Sequence, residues 1–132
     1  MTRPRGIKSI RLYIVTKLEL MDQELDKLIR FIGKNFAIDD KKYPDLKDQY
    51  DVQAVFKFAL RHVVLHMAKA TGMVATASER FDHGKEFDVE VIKDEATSNI
   101  INGLKLAELF KISGAELIER MEKKYNDKID DN

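Results

Sequence analysis

Residues 51–81, DVQAVFKFALRHVVLHMAKATGMVATASERF, contain no proline and hold a long apolar pattern. Eight apolar residues recur there at alternating spacings of 4 and 3, namely Phe56, Leu60, Val63, Met67, Ala70, Val74, Ala77 and Phe81. This spacing places side chains along one face of an α-helix. The stretch therefore predicts a long helix that forms the backbone of the fold.

Three more helices are predicted around it. The four helices are expected at residues 9–33, 51–81, 89–111 and 114–126. Ser113, followed three residues later by Glu116, is typical of a capping box, which marks the start of the last helix. Residues 34–49 are polar, contain Pro44 and predict a loop of a length that is often functional. We expect one all-α domain over residues 1–132, built as a four-helix bundle.

The composition excludes several classes of protein. The 132 residues carry 23 basic and 23 acidic side chains and no cysteine. A net charge of zero argues against nucleic acid or a membrane surface as partner, and the lack of cysteine excludes disulfides and sulfur-ligated zinc. No stretch reaches the roughly 18 apolar residues of a membrane span, and the first residues do not resemble a signal peptide. We expect a cytoplasmic protein.

Apolar residues outside the predicted helix seams exceed what one small bundle can bury. Examples are Val64, Leu65, Ile101 and Leu109. A homo-oligomer, either a dimer or a tetramer, would cover them. A thick single core is the alternative explanation.

A polar stripe accompanies the apolar seam of the second predicted helix. His62, His66, Lys69 and Met73 follow one another at spacings of 4, 3 and 4. Two histidines at i and i+4 can bind one metal ion, and Asp82 near the helix end could add an oxygen ligand. The alternative is that both histidines form local hydrogen bonds at a helix–helix interface.

A second polar stripe lies on the third predicted helix and consists of Glu95, Asn99 and Asn102. Asparagine is a poor helix former in a helix interior, and a buried amide needs hydrogen-bond partners. These residues either line a ligand pocket or satisfy one another across a symmetric interface and set its register.

Two sets of charged residues each allow a ligand-binding and a structural interpretation. Glu19, Asp22 and Asp26 could hold Mg²⁺ through oxygen ligands, or they could form a solvated acidic face. Lys123, with its basic neighbours, could contact a phosphate, or it could complement the dipole at the end of the fourth helix.

Two segments, FALRHVVLHMAKATGMVATASERFDHG from residue 58 and EATSNIINGLKLAELFKISGAELIERMEKKY from residue 95, resemble the MazG-like, all-α nucleotide pyrophosphohydrolase superfamily. The resemblance covers about half of the chain. It implies the fold of that superfamily and the hydrolysis of nucleoside triphosphates to monophosphate and pyrophosphate. It also implies Mg²⁺, held by an E-E-x-x-E motif on one helix and an E-x-x-D motif on the next.

The acidic positions of the two motifs are largely replaced in this chain. The first motif falls on Lys69, Ala70 and Met73, and the second falls on Glu95 and Ser98. The resemblance therefore implies Glu95 as the catalytic carboxylate. For the nucleotide we expect contacts from Lys69, Asn99, Asn102 and Lys123.

Three interpretations follow from these replacements. In the first, the chain has lost hydrolysis but still binds a nucleotide or a protein partner. In the second, a divalent metal site has been rebuilt from His62, His66, Glu95 and Asp82. In the third, Glu19 and Asp22 replace the missing acidic residues of the motifs. We expect a MazG-like protein related to nucleoside triphosphate pyrophosphohydrolases, with catalysis lost or rebuilt around a site for Mg²⁺ or another divalent metal. The alternative is a non-enzymatic helical interaction or scaffold protein that self-associates.

Overall fold

The computed structural model describes residues 6–131, and it describes their side chains except those of residues 7–16 and 18. This part of the chain contains four α-helices and no strand, which confirms the all-α prediction. The helices are α1 (Ile7–Asn35), α2 (Val52–Asp82), α3 (Val89–Leu109) and α4 (Gly114–Asp130). A short 3-10 helix, Pro44–Leu46, lies in the segment predicted as a loop.

Local hydrogen bonds explain where three of the helices begin. The side chains of Asp51, Asp88 and Ser113 each accept a backbone N–H from the first turn of α2, α3 and α4 respectively. Such caps satisfy N–H groups that have no partner inside the helix. The predicted cap at Ser113 is therefore confirmed. The second half of the predicted capping box is not formed, because Glu116 pairs with Arg120 at 2.8 Å instead of reaching back.

The helix ends differ from the prediction by a few residues. α3 ends at Leu109, two residues early, because Lys111 has a φ of 56°, which is incompatible with a continuing helix. α4 continues to Asp130, four residues beyond the predicted end.

α3 is the central element of the fold. Extensive contacts join α2 to α3, α3 to α1, and α1 to α4. Ile29 and Ile32 of α1 pack with Leu104 and Ala107 of α3 to form the main core cluster. The helices therefore follow one another in space in the order α2, α3, α1, α4.

The seam of α2 is confirmed in part. Val63, Ala70 and Ala77, which are spaced by seven residues, are buried. The small alanine side chains allow α3 to approach closely. Phe81, the last residue of the predicted seam, is exposed, and its ring packs 5.2 Å from the ring of Phe87.

The first turn of α4 is pressed against the middle of α1. The backbone N–H of Gly114 donates to Asp26 Oδ1 at 2.7 Å. A Cβ at Gly114 would lie 2.5 Å from the carbonyl oxygen of Asp22 and 2.9 Å from the Cβ of Leu25. Asp26 is therefore a structural residue that receives α4, and not a member of a solvated acidic face.

The buried apolar core is small. The buried apolar residues of the described part are Ile29, Ile32, Ala59, Val63, Ala70, Ala77, Leu104 and Ala107, and half of them are alanines. Val64 and Leu65, by contrast, are exposed. Ile101 and Leu109, the other two examples, are half-buried, and Ile101 packs against the core cluster. None of their helices has the length and apolar character needed to cross a membrane.

Candidate functional site

A basin between α2 and α3 contains most of the residues that the sequence singled out. It has a volume of about 500 Å³ and is closed at one side by Phe36, just beyond the end of α1. The lining residues, which define the basin, are Phe36, His66, Lys69, Ala70, Met73, Glu95, Ser98, Ile101, Asn102 and Lys105. Four of the predicted site residues, His66, Lys69, Glu95 and Asn102, are thereby brought together.

Helical spacing explains why these side chains meet. On α2, His66, Lys69 and Met73 stand on one face at spacings of 3 and 4. On α3, the lining polar residues are Glu95, Ser98, Asn102 and Lys105, at spacings of 3, 4 and 3. Since α2 and α3 pack along their lengths, the two stripes form facing walls of the basin.

Cations outnumber carboxylates in the basin. Its lining contains the ammonium groups of Lys69 and Lys105, but a single carboxylate, that of Glu95. Desolvation by burial, followed by the positive charge of Lys42, lowers the pKa of Lys105. An anion in the basin would relieve this cost, because it would neutralise a partly desolvated ammonium group.

Lys105 was missed by the sequence analysis. Its Nζ lies 5.6 Å from the centroid of the Phe36 ring, in a cation–π arrangement. The signal that could have found it is its position three residues after Asn102, on the same face as Glu95 and Ser98.

The two histidines of α2 are neighbours with different surroundings. Their ring centroids lie 5.0 Å apart. Burial, followed by the positive charges of His62, Lys105 and Lys69, lowers the pKa of His66 below 6.5. Its imidazole is therefore mainly neutral at pH 7. His66 lines the basin, whereas His62 is outside the lining residues.

Aromatic contacts hold His62. Its ring stacks on Phe58 with centroids 5.2 Å apart and planes 16° apart. The ring of Tyr43, from the connection between α1 and α2, meets it edge-on at 4.3 Å. Packing thus accounts for the position of His62 and fixes the connection against α2.

The two asparagines of α3 have separate roles. Asn102 is only 4% exposed and lines the basin. The side-chain amide of Asn99 donates to Thr71 Oγ1 of α2 at 3.4 Å, and its buried Oδ1 has no hydrogen-bond partner in the described part of the protein. Asn102 is therefore available to a ligand in the basin, whereas Asn99 joins α3 to α2.

Asp82 and Lys123 are not brought to the basin. Asp82 is the last residue of α2, sixteen residues beyond His66, which places it about 24 Å away along the helix axis. Lys123 is an exposed residue of α4, the helix that packs on α1. Glu19 and Asp22 of α1 are also outside the basin lining.

The residues of the basin do not fit a magnesium site. Mg²⁺ prefers oxygen ligands such as carboxylates, and the single lining carboxylate, Glu95, shares the basin with two lysines. Among residues 6–131, no group of three or more histidine, cysteine or acidic side chains could hold a metal ion. Binding of another divalent metal by the predicted set, His62, His66, Glu95 and Asp82, would require these side chains to move together, and it stays a prediction.

An apolar cleft adjoins the basin. It has a volume of about 420 Å³ and lies between the end of α1, the α1–α2 connection, the start of α2 and the end of α3. Its walls include Val55, Phe56 and Leu109, and it shares Phe36 and Lys105 with the basin. The segment predicted as a loop, residues 34–49, contributes residues 36–38 and residue 49 to this cleft.

No known protein family, curated protein or solved structure matches the chain. The resemblance to MazG-like pyrophosphohydrolases therefore stays a prediction.

Proposed function

We propose that this chain is a MazG-like relative of the nucleoside triphosphate pyrophosphohydrolases that binds a nucleotide without hydrolysing it. The phosphates occupy the basin and the base occupies the apolar cleft. One observation carries the proposal. Lys69 of α2 and Lys105 of α3 line the same cavity, in which Glu95 is the single lining carboxylate.

The lysines match the phosphate part of such a ligand. A lysine ammonium binds phosphate as a compact positive charge, and hydrogen bonds between charged groups are stronger than those between neutral ones. Ser98 and Asn102, also in the lining, add a hydroxyl and an amide that can donate to phosphate oxygens. The basin thus combines charge with neutral donors, as recognition of an anion requires.

The shared residues connect the phosphate part to an aromatic part. Phe36 and Lys105 belong to both cavities, so a ligand that has an anionic end and a flat apolar end can fill both. Phe56 and Val55 supply apolar surface for a base. A volume of about 420 Å³ lies within the usual range of small-molecule sites.

The proposal excludes hydrolysis because the carboxylates of the family motifs are replaced. Lys69, Ala70, Met73 and Ser98 stand at motif positions that are acidic in the superfamily. A lysine in this place repels a divalent cation. Glu95 is the one carboxylate left for a metal-dependent step, which makes it the control residue for activity.

Nucleotide binding by the purified chain tests the proposal. We expect Lys69→Ala to weaken binding of a nucleoside triphosphate about tenfold or more, because a hydrogen bond to a charged group is lost. Lys123→Ala is the matched control, since this lysine is exposed on α4, and its affinity should equal that of the unmodified chain. Calorimetry gives both values. Absence of binding, or equal losses in the two variants, contradicts the proposal.

A pyrophosphate assay tests the claim about hydrolysis. With a panel of nucleoside triphosphates and Mg²⁺ or Mn²⁺, we expect no more pyrophosphate from the unmodified chain than from Glu95→Ala. Turnover that disappears in Glu95→Ala would show that the chain is an enzyme.

A second candidate function is that of a helical interaction protein that self-associates. The observation that favours it is the large amount of exposed apolar surface beside a core that is half alanine. This function does not require a ligand in the basin.

A further inference from the structure

The C-terminal part of α4 exposes an apolar stripe. Every residue from Glu119 to Asp130 is exposed. Met121, Tyr125 and Ile129, at spacings of 4, lie on one face and are 59%, 66% and 53% exposed. These three residues are called the α4 stripe.

An uncovered helix of this length requires an explanation. The exposed part of α4 has twelve residues, and isolated helices shorter than about 12–15 residues are only marginally stable in water. Helices in proteins owe most of their stability to packing of the apolar face. The α4 stripe is therefore a surface that packing against another element would stabilise.

The accessible surface area of the chain shows how much packing is missing. The chain exposes 11001 Å², whereas a compact monomer of 15.3 kDa exposes about 7,100 Å². The difference is about 3,900 Å² for one chain, whereas permanent oligomers bury about 2,000–5,000 Å² summed over both partners, or about 1,000–2,500 Å² per chain. The exposed area therefore suffices for a stable complex between copies of this chain.

A second exposed apolar stripe lies on α1. Leu20, Leu28 and Phe31 are exposed and, together with Glu24, stand on one face at spacings of 4, 4 and 3. These four residues are called the α1 stripe. Glu24 is the carboxylate within the α1 stripe and pairs with Lys27 of its own chain at 3.0 Å, whereas Lys123 and Lys124 lie between Met121 and Tyr125 on α4. Opposite charges next to two apolar stripes favour their association.

We propose that a second copy of this chain covers the α4 stripe. The α4 stripe of each copy packs on the α1 stripe of the other, so that a two-fold axis forms the same contact twice. Lys124, which lies beside Tyr125 on α4, faces Glu24 of the second copy. The inference rests on the second candidate function, self-association, and it is independent of nucleotide binding.

The mass of the full chain in solution, measured by light scattering during size-exclusion chromatography, tests this proposal. We expect the unmodified chain to have at least twice the mass of 15.3 kDa. Tyr125→Glu should raise the dissociation constant at least about 30-fold, as expected for an interface anchor. Ile100→Glu is the matched control, because Ile100 is 63% exposed on α3, and it should leave the mass unchanged.

A charge exchange provides a second test that does not place a charge inside the interface. Glu24→Lys and Lys124→Glu should each raise the dissociation constant about two- to fivefold, and the double variant should restore it. Circular dichroism checks that each variant is folded.

The possible outcomes test separately whether the chain self-associates and whether it does so through the α4 stripe. A monomeric unmodified chain overturns both. An oligomer that Tyr125→Glu and the charge exchange leave intact, or that Ile100→Glu disrupts equally, overturns the α4 surface and leaves self-association standing.

Discussion

His66 connects the electrostatics of the basin to stability. Its pKa is lowered in the folded chain by burial and by the charges of His62, Lys105 and Lys69. The unfolded chain therefore binds a proton at this residue more readily than the folded chain. It follows that the free energy of unfolding falls as the pH decreases through 6.5 toward the folded pKa.

Removal of the imidazole should remove this part of the pH dependence. We expect His66→Gln to lose less stability than the unmodified chain between pH 7.5 and pH 5, because its side chain does not titrate. Urea unfolding at the two pH values measures the difference. His83→Gln is the control, since His83 is an exposed residue at the end of α2. An identical loss of stability in His66→Gln and in the unmodified chain would contradict the assignment of this pH dependence to His66.

The helix α4 is attached to α1 through its first residue, Gly114. Gly114 leaves no room for a side chain, because a Cβ there would approach the Asp22 carbonyl oxygen to 2.5 Å. At the same position the N–H donates to the carboxylate of Asp26. An acidic side chain at a helix N-terminus also interacts favourably with the helix dipole. α4 therefore depends on the close approach of its first residue to α1.

Substitution of this glycine should move α4 away from α1. We expect Gly114→Ala to lower the free energy of unfolding by about 1–3 kcal/mol, the usual cost of overpacking. Gly72→Ala in the middle of α2 is the control, because a Cβ there meets nothing within 4 Å, and it should raise stability by about 0.5–1 kcal/mol. Chemical denaturation of both variants measures the two effects. Equal changes would mean that α4 does not press on α1 at Gly114.

The molecule as a whole has a small buried core. The core cluster joins α1 and α3, whereas α2 and α4 pack on opposite sides of this pair. Such an arrangement leaves many apolar side chains exposed, on α4 and on the outer face of α1. Self-association would then contribute a large part of the stability of the folded chain.

The melting temperature should therefore depend on protein concentration. If copies associate only when folded, a higher concentration favours the folded oligomer and raises the melting temperature. Calorimetric scans of the unmodified chain over a wide concentration range measure this, and Tyr125→Glu should show a much weaker dependence. A melting temperature that is independent of concentration would contradict a coupling of folding and association.

The amino-acid sequence by itself determined the four helices and the start of the last one. Helical hydrogen bonds and caps join residues that are a few positions apart, so spacing and capping residues such as Ser113 are sufficient to predict them. The same local rule placed His66 beside Lys69, and Glu95 near Asn102, on single helix faces. These residues could be proposed as one site because both helices carried a polar stripe.

Only the tertiary structure decided which stripes meet. The packing of α3 between α2 and α1 brings Lys105 and Phe36 into the basin and leaves Asp82 at the distant end of α2. It also gives Asp26 its role, because the acceptor for the Gly114 N–H lies 88 residues away in the sequence. Such contacts depend on which apolar faces are buried against each other, and the periodicity within a single helix does not contain that information.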